Sequence, residues 1–441
     1  MTTLSSPLSG PLSGPVGGIT PALDTSSWPD LTRMPGALNR AVHARVAKRL
    51  FLQVADRLDV RIELPDGGVI GRAAHVSGAP VMLLHRPERF IERLGASGLI
   101  GFGESYMAGD WDSPDLGGLL TVFAERMATL VPEPLQKLRA LYVAKMPGQE
   151  RNTTANTRSN ISRHYDLSNA MFEQFLDETM SYSSALFQGA GRTGQPELVW
   201  GDLAPAQVRK VERLLDQARV GKGTRVLEIG TGWGELAIRA ARRGATVRTV
   251  TLSQEQQALA RERIRRAGVE DRVTVDLLDY RDVDGTYDAV VSVEMIEAVG
   301  YEYWPTYFET IDRLLAPGGS VAIQAITMPH DRMLATRNTY TWVHKYIFPG
   351  GFLPSTRAIQ DVTSEHTSLR VVEWLSMGAS YAETLRLWDE RFREHADAVE
   401  GLGFDAIFRR MWHFYLEYSR AGFASGYLDV QQFVLRRGVT A

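Results

Sequence analysis

The stretch TRVLEIGTGWGELAIRAARRG (residues 224–244) decides the fold. A short apolar run ends in glycine and passes into a run with helical spacing that Gly244 closes, so it reads as strand, turn and helix. Glu228, Gly230, Gly232 and Gly234 form an E-x-G-x-G-x-G series at the turn. Glycine lets such a turn fold tightly and lets a ligand lie against bare backbone. Outward from it the same rhythm repeats. The amphipathic run PAQVRKVERLLDQARV (205–220) precedes it, and strand ATVRTVTL, helix SQEQQALARERIRRAG and strands RVTVDLLD and YDAVVSVEMI follow. A helix over 302–315, an APGG turn and strand SVAIQAIT complete the series. This alternation predicts an α/β domain with a doubly wound parallel sheet. Beyond Met328 the rhythm gives way to the aromatic-rich insertion YTWVHKYIFPGGFLP (340–354), then a strand over 369–377, helices and a closing strand over 431–437. An insertion there is placed to cover a crevice at the carboxyl ends of the strands.

A dinucleotide-binding turn more often reads G-x-G-x-x-G with an acid roughly 20 residues on. Here the third glycine comes one residue early, and the second strand ends in Thr251-Leu252-Ser253 without an acid. The third strand ends in Asp279-Tyr280, an acid able to accept from an adenine amine beside a ring able to stack on the base. The arrangement resembles the class I S-adenosylmethionine (SAM)-dependent methyltransferases.

The chain has 441 residues, more than one core usually serves, and points to about two domains. With 44% hydrophobic and 23% charged residues it is a folded protein. The net charge of −3 provides no bulk attraction to nucleic acid. No apolar run is long enough to cross a bilayer, and the start MTTLSSPLSGPLSGPVGG lacks the features of a signal peptide, so a cytoplasmic location is expected. Cysteine is absent, which removes disulfides and thiolate chemistry, and the histidines show no metal-ligand spacing. Residues 1–30 read as a disordered tail, 31–145 as a small mixed α+β unit, 146–160 as a linker and 161–441 as the larger domain. The smaller unit opens with a basic amphipathic helix carrying Leu38, Val42, Val46, Leu50 and Val54. That helix either packs on its own domain or meets anionic lipid.

The segment NISRHYDLSNAMFEQFLDETMSYSSALF (160–187), with EMIEAVGYEYW (294–304), Gln324 inside an apolar strand and Tyr381 in GASYAETLRLW, completes the pattern. The blocks HYDLSN, MSYSS, LEIGTGWG, TLSQEQ, DYRD and EAVG, in that order, resemble the cyclopropane-fatty-acid synthase family, and IGFGESYMAGDW (100–111) resembles that family's first domain. The resemblance implies a Rossmann-like SAM-dependent C-methyltransferase with a lid insertion and a lipid-handling N-terminal domain. Its substrate is a cis double bond in an acyl chain of a membrane phospholipid, reached by peripheral association at the inner face of the membrane. SAM would be held by Tyr182, Ser183, Glu228, Gly230, Thr231, Gly232, Gly234, Thr251, Leu252, Ser253, Gln256, Asp279, Tyr280 and Arg281. An alkene can attack a sulfonium methyl once aligned, so positioning is the main need and no protein nucleophile is required. The resemblance also implies a bicarbonate beside the resulting carbocation, bound by Glu297, Tyr381, the backbone of Ser184 and Ile326, and the residue at position 324. That residue is histidine in the family and Gln324 here, which cannot carry a proton or a charge. His164 either orders a cofactor lid or caps local backbone.

The product is a cyclopropane if the cation loses a methyl proton directly, or a methylene branch if a hydride shifts first. A saturated methyl branch requires a separate reductase. The alternatives are a methyltransferase of another substrate and a non-catalytic lipid- or SAM-binding protein; a homo-oligomer is compatible with each. Bland readings stand beside the functional ones: Tyr182 as a core aromatic, Glu297 as a carboxylate at a helix start, and Gln324 and Tyr381 satisfying each other. Tyr340, Trp342, Tyr346, Phe348 and Phe352 read as core or as the wall of an acyl tunnel. His344-Lys345 and Arg409-Arg410 read as headgroup contacts or, for the arginines, as solvated surface.

Overall fold

The structure, a computed structural model, describes residues 28–32, 37–130, 168–192, 194 and 196–438. His164, the linker 146–160 and the tail before Trp28 lie outside the described residues. Among the described residues there are two sheets. The smaller joins β1 (Arg61–Glu63), β2 (Val69–Ile70), β3 (Val81–Leu84) and β4 (Trp111–Asp112) in the order β2-β1-β3-β4. Helices α1 (Ala37–Ala55), α2 (Pro87–Ser97), α3 (Leu99–Met107) and α4 (Leu116–Leu130) accompany it. Among the described side chains of α1, Ala47, Phe51 and Ala55 are buried and Val54 is partly buried against the same core, whereas Val46 is exposed, so the inward face is centred one position beyond the row of Val46, Leu50 and Val54. Phe51 meets Phe90 edge to face at 4.9 Å, and this aromatic contact sets the rotation.

The larger sheet contains β5 (Arg225–Ile229), β6 (Thr246–Thr251), β7 (Val273–Leu277), β8 (Tyr287–Val293), β9 (Leu315–Thr327), β10 (Leu369–Ser376) and β11 (Asp429–Arg437). Its order is β10-β11-β9-β8-β5-β6-β7. Strands β5 to β9 pair in parallel, but β11 runs antiparallel between β9 and β10, so the sheet is not wholly parallel. The expected APGG turn lies within β9. Leu315 pairs with Tyr287 and Ser320 with Ala289, and residues 316–319 bulge between the two pairings. The strand order reverses between β5 and β8, the switch point where such sheets open a crevice at their carboxyl ends.

Helices α5 (Asn169–Phe172), α6 (Leu203–Gln217), α7 (Glu235–Arg242), α8 (Gln254–Arg266), α9 (Ile296–Val299) and α10 (Trp304–Leu314) flank the crevice or the sheet. The cover is built from α11 (His330–Thr336), α12 (Trp342–Tyr346), α13 (Thr356–His366), α14 (Gly378–Glu394) and α15 (Ala406–Ala424). One core runs through the smaller sheet, the cover and the crevice wall: Phe90, Trp111, Phe172, Trp233, Trp342, Trp388 and Trp412 all belong to it. Among the described residues no helix is long and apolar enough to cross a membrane.

The basic-aromatic pairs are corrected by this packing. His344 Nδ1 accepts from its own helix start at Thr341, and burial holds its pKa below the usual histidine value. Lys345 pairs with Glu104 at 2.6 Å and Asp30 at 3.0 Å, and Arg409 pairs with Glu400. Arg410 donates to Tyr106 O, Trp111 O and Asp112 and lies 4.2 Å from the centroid of the Tyr106 ring. Lys345 and Arg410 fasten the cover to the smaller unit, and the Arg409–Glu400 pair lies within the chain beyond residue 395. Arg410→Ala is expected to destabilise the protein by about 2–4 kcal/mol, because two carbonyls and a carboxylate lose their donor. Arg410→Lys should not restore the loss, since lysine lacks the planar fork. Urea titration measures both, and a loss for Arg410→Ala under about 0.5 kcal/mol would remove the brace from the account.

Candidate active site

At the carboxyl end of β5 the chain turns through Gly230, Gly232 and Gly234, all with positive φ. A side chain at Gly230 would place its Cβ 2.5 Å from Met295 Cγ, so this turn lies directly against the turn that ends β8. At Gly232 the corresponding space is open. Glu228 is buried beside the turn, its Oε2 without a hydrogen-bond partner, and burial raises its pKa to about 8. A bare backbone face and an orphaned buried carboxylate fit a cofactor bearing a cationic centre and amine donors. Thr231 and Thr249 hydroxyls meet at 2.7 Å beneath the turn.

Across the crevice, Ser253 caps α8 by accepting from Gln256 N, and Thr251 Oγ1 donates to Gln256 Oε1. Leu252 lies between these two capping residues. Asn169 joins both rims. Its Oδ1 accepts from Trp233 Nε1 at 2.8 Å and its Nδ2 donates to Glu255 O. The segment over 168–187 therefore closes one side of the crevice. Asp279 does not present a lone carboxylate: Arg281 grips both oxygens, at 2.8 and 2.6 Å, and lies over the Tyr280 ring. Tyr280 itself meets Tyr307 edge to face. Tyr182 is held at both ends, its hydroxyl 2.7 Å from that of Tyr415 and its ring against Phe172 and Trp388. Ser183 Oγ accepts from Lys210 Nζ, a buried lysine whose pKa burial lowers to about 8.

The chemistry residues converge on a side chain that the sequence reading missed. Glu294, just after β8, has φ 51, a left-handed backbone that non-glycine residues seldom adopt. Its Oε1 accepts from Ser184 N at 2.9 Å and Gln324 Nε2 at 2.8 Å, and its Oε2 from the Tyr381 hydroxyl at 2.8 Å. Gln324 and Tyr381 thus do not satisfy each other; both serve Glu294. Glu297 sits in the first turn of α9, but its Oε1 accepts from Ile326 N while Oε2 is buried without a partner. Burial, and then the neighbouring charge of Glu294, raise the Glu297 pKa to about 8. Aromatic rings surround the pair: Tyr381 packs on Phe423 at 4.5 Å and on Trp388. Trp342 and Phe352 are core residues, whereas Tyr340, Tyr346 and Phe348 are half-buried.

The raised carboxyls carry a stability signature. In the unfolded chain they titrate near 4.5, so between there and about 8 the folded state holds protons that the unfolded state has lost. Stability is therefore greatest at the acidic side of this window and falls as pH rises toward 8, by roughly 1–2 °C in Tm per pH unit for each group. Glu228→Gln should flatten the slope in calorimetry; an unchanged slope would place its pKa in the ordinary range.

A family model, mycolic acid cyclopropane synthetase, matches residues 152–433. The chain belongs to that family. It is 55% identical over 416 residues to the tuberculostearic acid methyltransferase UfaA1 of Mycobacterium tuberculosis, spanning 94% of this chain and 96% of that one. It is 33% identical over 365 residues to the cyclopropane-fatty-acyl-phospholipid synthase of Escherichia coli K12, covering 82% and 89%. Among solved structures, mycolic acid cyclopropane synthase CmaA1 complexed with SAH and CTAB aligns with TM-score 0.56 and 28% identity, over 64% of this chain and 98% of that one. As a member of the cyclopropane synthetase family the protein is a SAM-dependent enzyme that modifies lipid acyl chains, with a Rossmann-like methyltransferase sheet.

Proposed function

We propose that this enzyme transfers a methyl group from SAM to the cis double bond of an acyl chain in a membrane phospholipid and releases a methylene-branched chain. The observation that carries the reading is the pair of carboxylates, Glu294 and Glu297, set among aromatic rings beside the glycine turn. Bound SAM supplies an electrophilic methyl. The chain's own residues align the alkene, exclude water and surround a carbocation with negative charge and ring faces. No thiol is available, and none is needed. Methylene formation is favoured over ring closure because the relative matched along almost the whole chain is named a methyltransferase, whereas the relative at 33% identity is named a cyclopropane synthase. A separate reductase would then saturate the branch. The enzyme would meet its substrate by peripheral contact at the cytoplasmic face of the membrane.

Incubation with deuteromethyl SAM and oleoyl-phospholipid vesicles tests this. Mass spectrometry of the released esters should show one added carbon retaining two deuterium atoms, and ozonolysis should convert the product to a ketone. An ozone-resistant product means a cyclopropane, and an unchanged acyl profile removes the substrate assignment.

A further inference from the structure

The family resemblance assigns a bicarbonate to four donors: the Ser184 and Ile326 amides, Tyr381 and the side chain at position 324. In this structure each already donates to a carboxylate of the chain. Ser184 N, Gln324 Nε2 and the Tyr381 hydroxyl go to Glu294, and Ile326 N goes to Glu297. An amide N–H and a phenol each have one proton to give. The two protons of the Gln324 amide are both committed, to Glu294 and to Ser184 O.

The orientation of that amide is fixed from outside the site. Arg213, which can only donate, gives Nη1 to Gln432 Oε1 at 2.8 Å. The Gln432 amide nitrogen must then face inward, and it donates to Gln324 Oε1 at 3.0 Å. Gln324 is left with its nitrogen toward Glu294. The Glu294 backbone is locked to the same strand, its N donating to Gln324 O at 2.7 Å, in a left-handed conformation that costs on the order of 1 kcal/mol for a side chain other than glycine. Strain of this kind persists where the surroundings enforce it.

We propose that Glu294 is the built-in anion of this active site, doing from within the chain what a bound bicarbonate would otherwise do, so that turnover is independent of bicarbonate. The proposal rests on the function given above. The alkene π pair forms the new bond to the sulfonium methyl while the C–S pair stays on sulfur. A hydride moves from the methylated carbon to the cationic one, the methyl loses a proton to Glu294, and the C–H pair left behind becomes the methylene double bond. Burial raises the Glu294 pKa; the Ser184 and Gln324 donors, the cation of Lys210, buried nearby and hydrogen-bonded to Ser183, and the Tyr381 hydroxyl act against that shift.

Glu294→Gly tests this, because glycine suits the left-handed backbone while removing the carboxylate. In buffer stripped of carbon dioxide the parent should keep its full rate and gain nothing from added sodium bicarbonate. The glycine variant should lose about 100-fold and recover at least part of the loss in bicarbonate or formate. Calorimetry with sodium bicarbonate should show binding to the glycine variant and none to the parent. That binding readout stands even if no acyl product forms, which would count against the proposed function alone. A parent stimulated several-fold by bicarbonate, or binding it, overturns the proposal. So does a glycine variant that keeps its full rate without bicarbonate, or one that loses its rate and neither binds nor responds to the anion. Should that variant not fold, the parent's response to bicarbonate decides by itself.

Discussion

Glu297→Gln is expected to lower kcat by roughly 100- to 1000-fold while leaving SAM affinity within about threefold of the parent. The substitution keeps the size of the side chain, and the amide oxygen can still accept from Ile326 N. What it removes is charge. With a pKa raised to about 8 by burial and by Glu294, Glu297 is largely protonated at neutral pH. A cation forming beside Glu297 draws out its charge, which glutamine cannot provide. The parent's kcat should therefore rise as pH increases through about 8, and the variant's profile should be flat over that window. Single-turnover rates across pH, with SAM binding by calorimetry, separate the outcomes. A variant with parental kcat and an unchanged profile would reduce Glu297 to a structural tie on Ile326.

Gly230→Ala is expected to weaken SAM binding by roughly 30- to 5000-fold. Two costs add: a left-handed conformation at about 1–2 kcal/mol for a residue with Cβ, and overpacking at about 1–3 kcal/mol. The second arises because the new methyl would stand 2.5 Å from Met295 Cγ and 2.6 Å from its sulfur. Met295 cannot yield freely, since it follows Glu294, whose carboxylate is held by three donors. The alanine should therefore also disturb catalysis at saturating SAM, an effect a simple binding lesion lacks. Calorimetric titration with SAM and rates at saturation measure the two parts. Affinity within about threefold of the parent would mean that the turn does not cradle the cofactor.

The Rossmann-like order of strands was legible because each strand of residues 224–327 is a short apolar run bounded by glycine or by a helical period. The antiparallel placement of β11 was not, since QQFVLRR reads alike in either direction and only pairing with both β9 and β10 fixes it. Glycine turn, Glu297, Gln324 and Tyr381 were legible from motif order, and Gln324 also from its place inside an apolar strand. Glu294 escaped because VSVEMIEAVG reads as strand passing into helix. Nothing local announces that the strand stops at Val293 and that the next residue turns left-handed. The available signal was position: an acid at the carboxyl end of a parallel strand beside the switch point faces the crevice. Lys210 was hidden differently, as was Gln207, whose Nε2 donates to Ser183 O. They share the buried stripe of α6 with Val211 and Leu214, a helical spacing that charge disguised as an outer face. The cations at 345 and 410 were misread because their partners, Glu104 and Asp112, lie more than 200 residues away.

The position of β11 also sets the order in which the hydrogen bonds around Gln324 can form as the chain is made. This strand fills the gap between β9 and β10, yet it is made after both. Until Gln432 has left the ribosome, Gln324 has no partner for its carbonyl oxygen and its amide is free to turn over. The hydrogen-bonded chain from Arg213 through Gln432 and Gln324 to Glu294 joins residues up to 219 positions apart, and its last link to be synthesised is the one that orients the rest. A chain lacking β11 would therefore lack the donor that fixes the Gln324 amide toward Glu294.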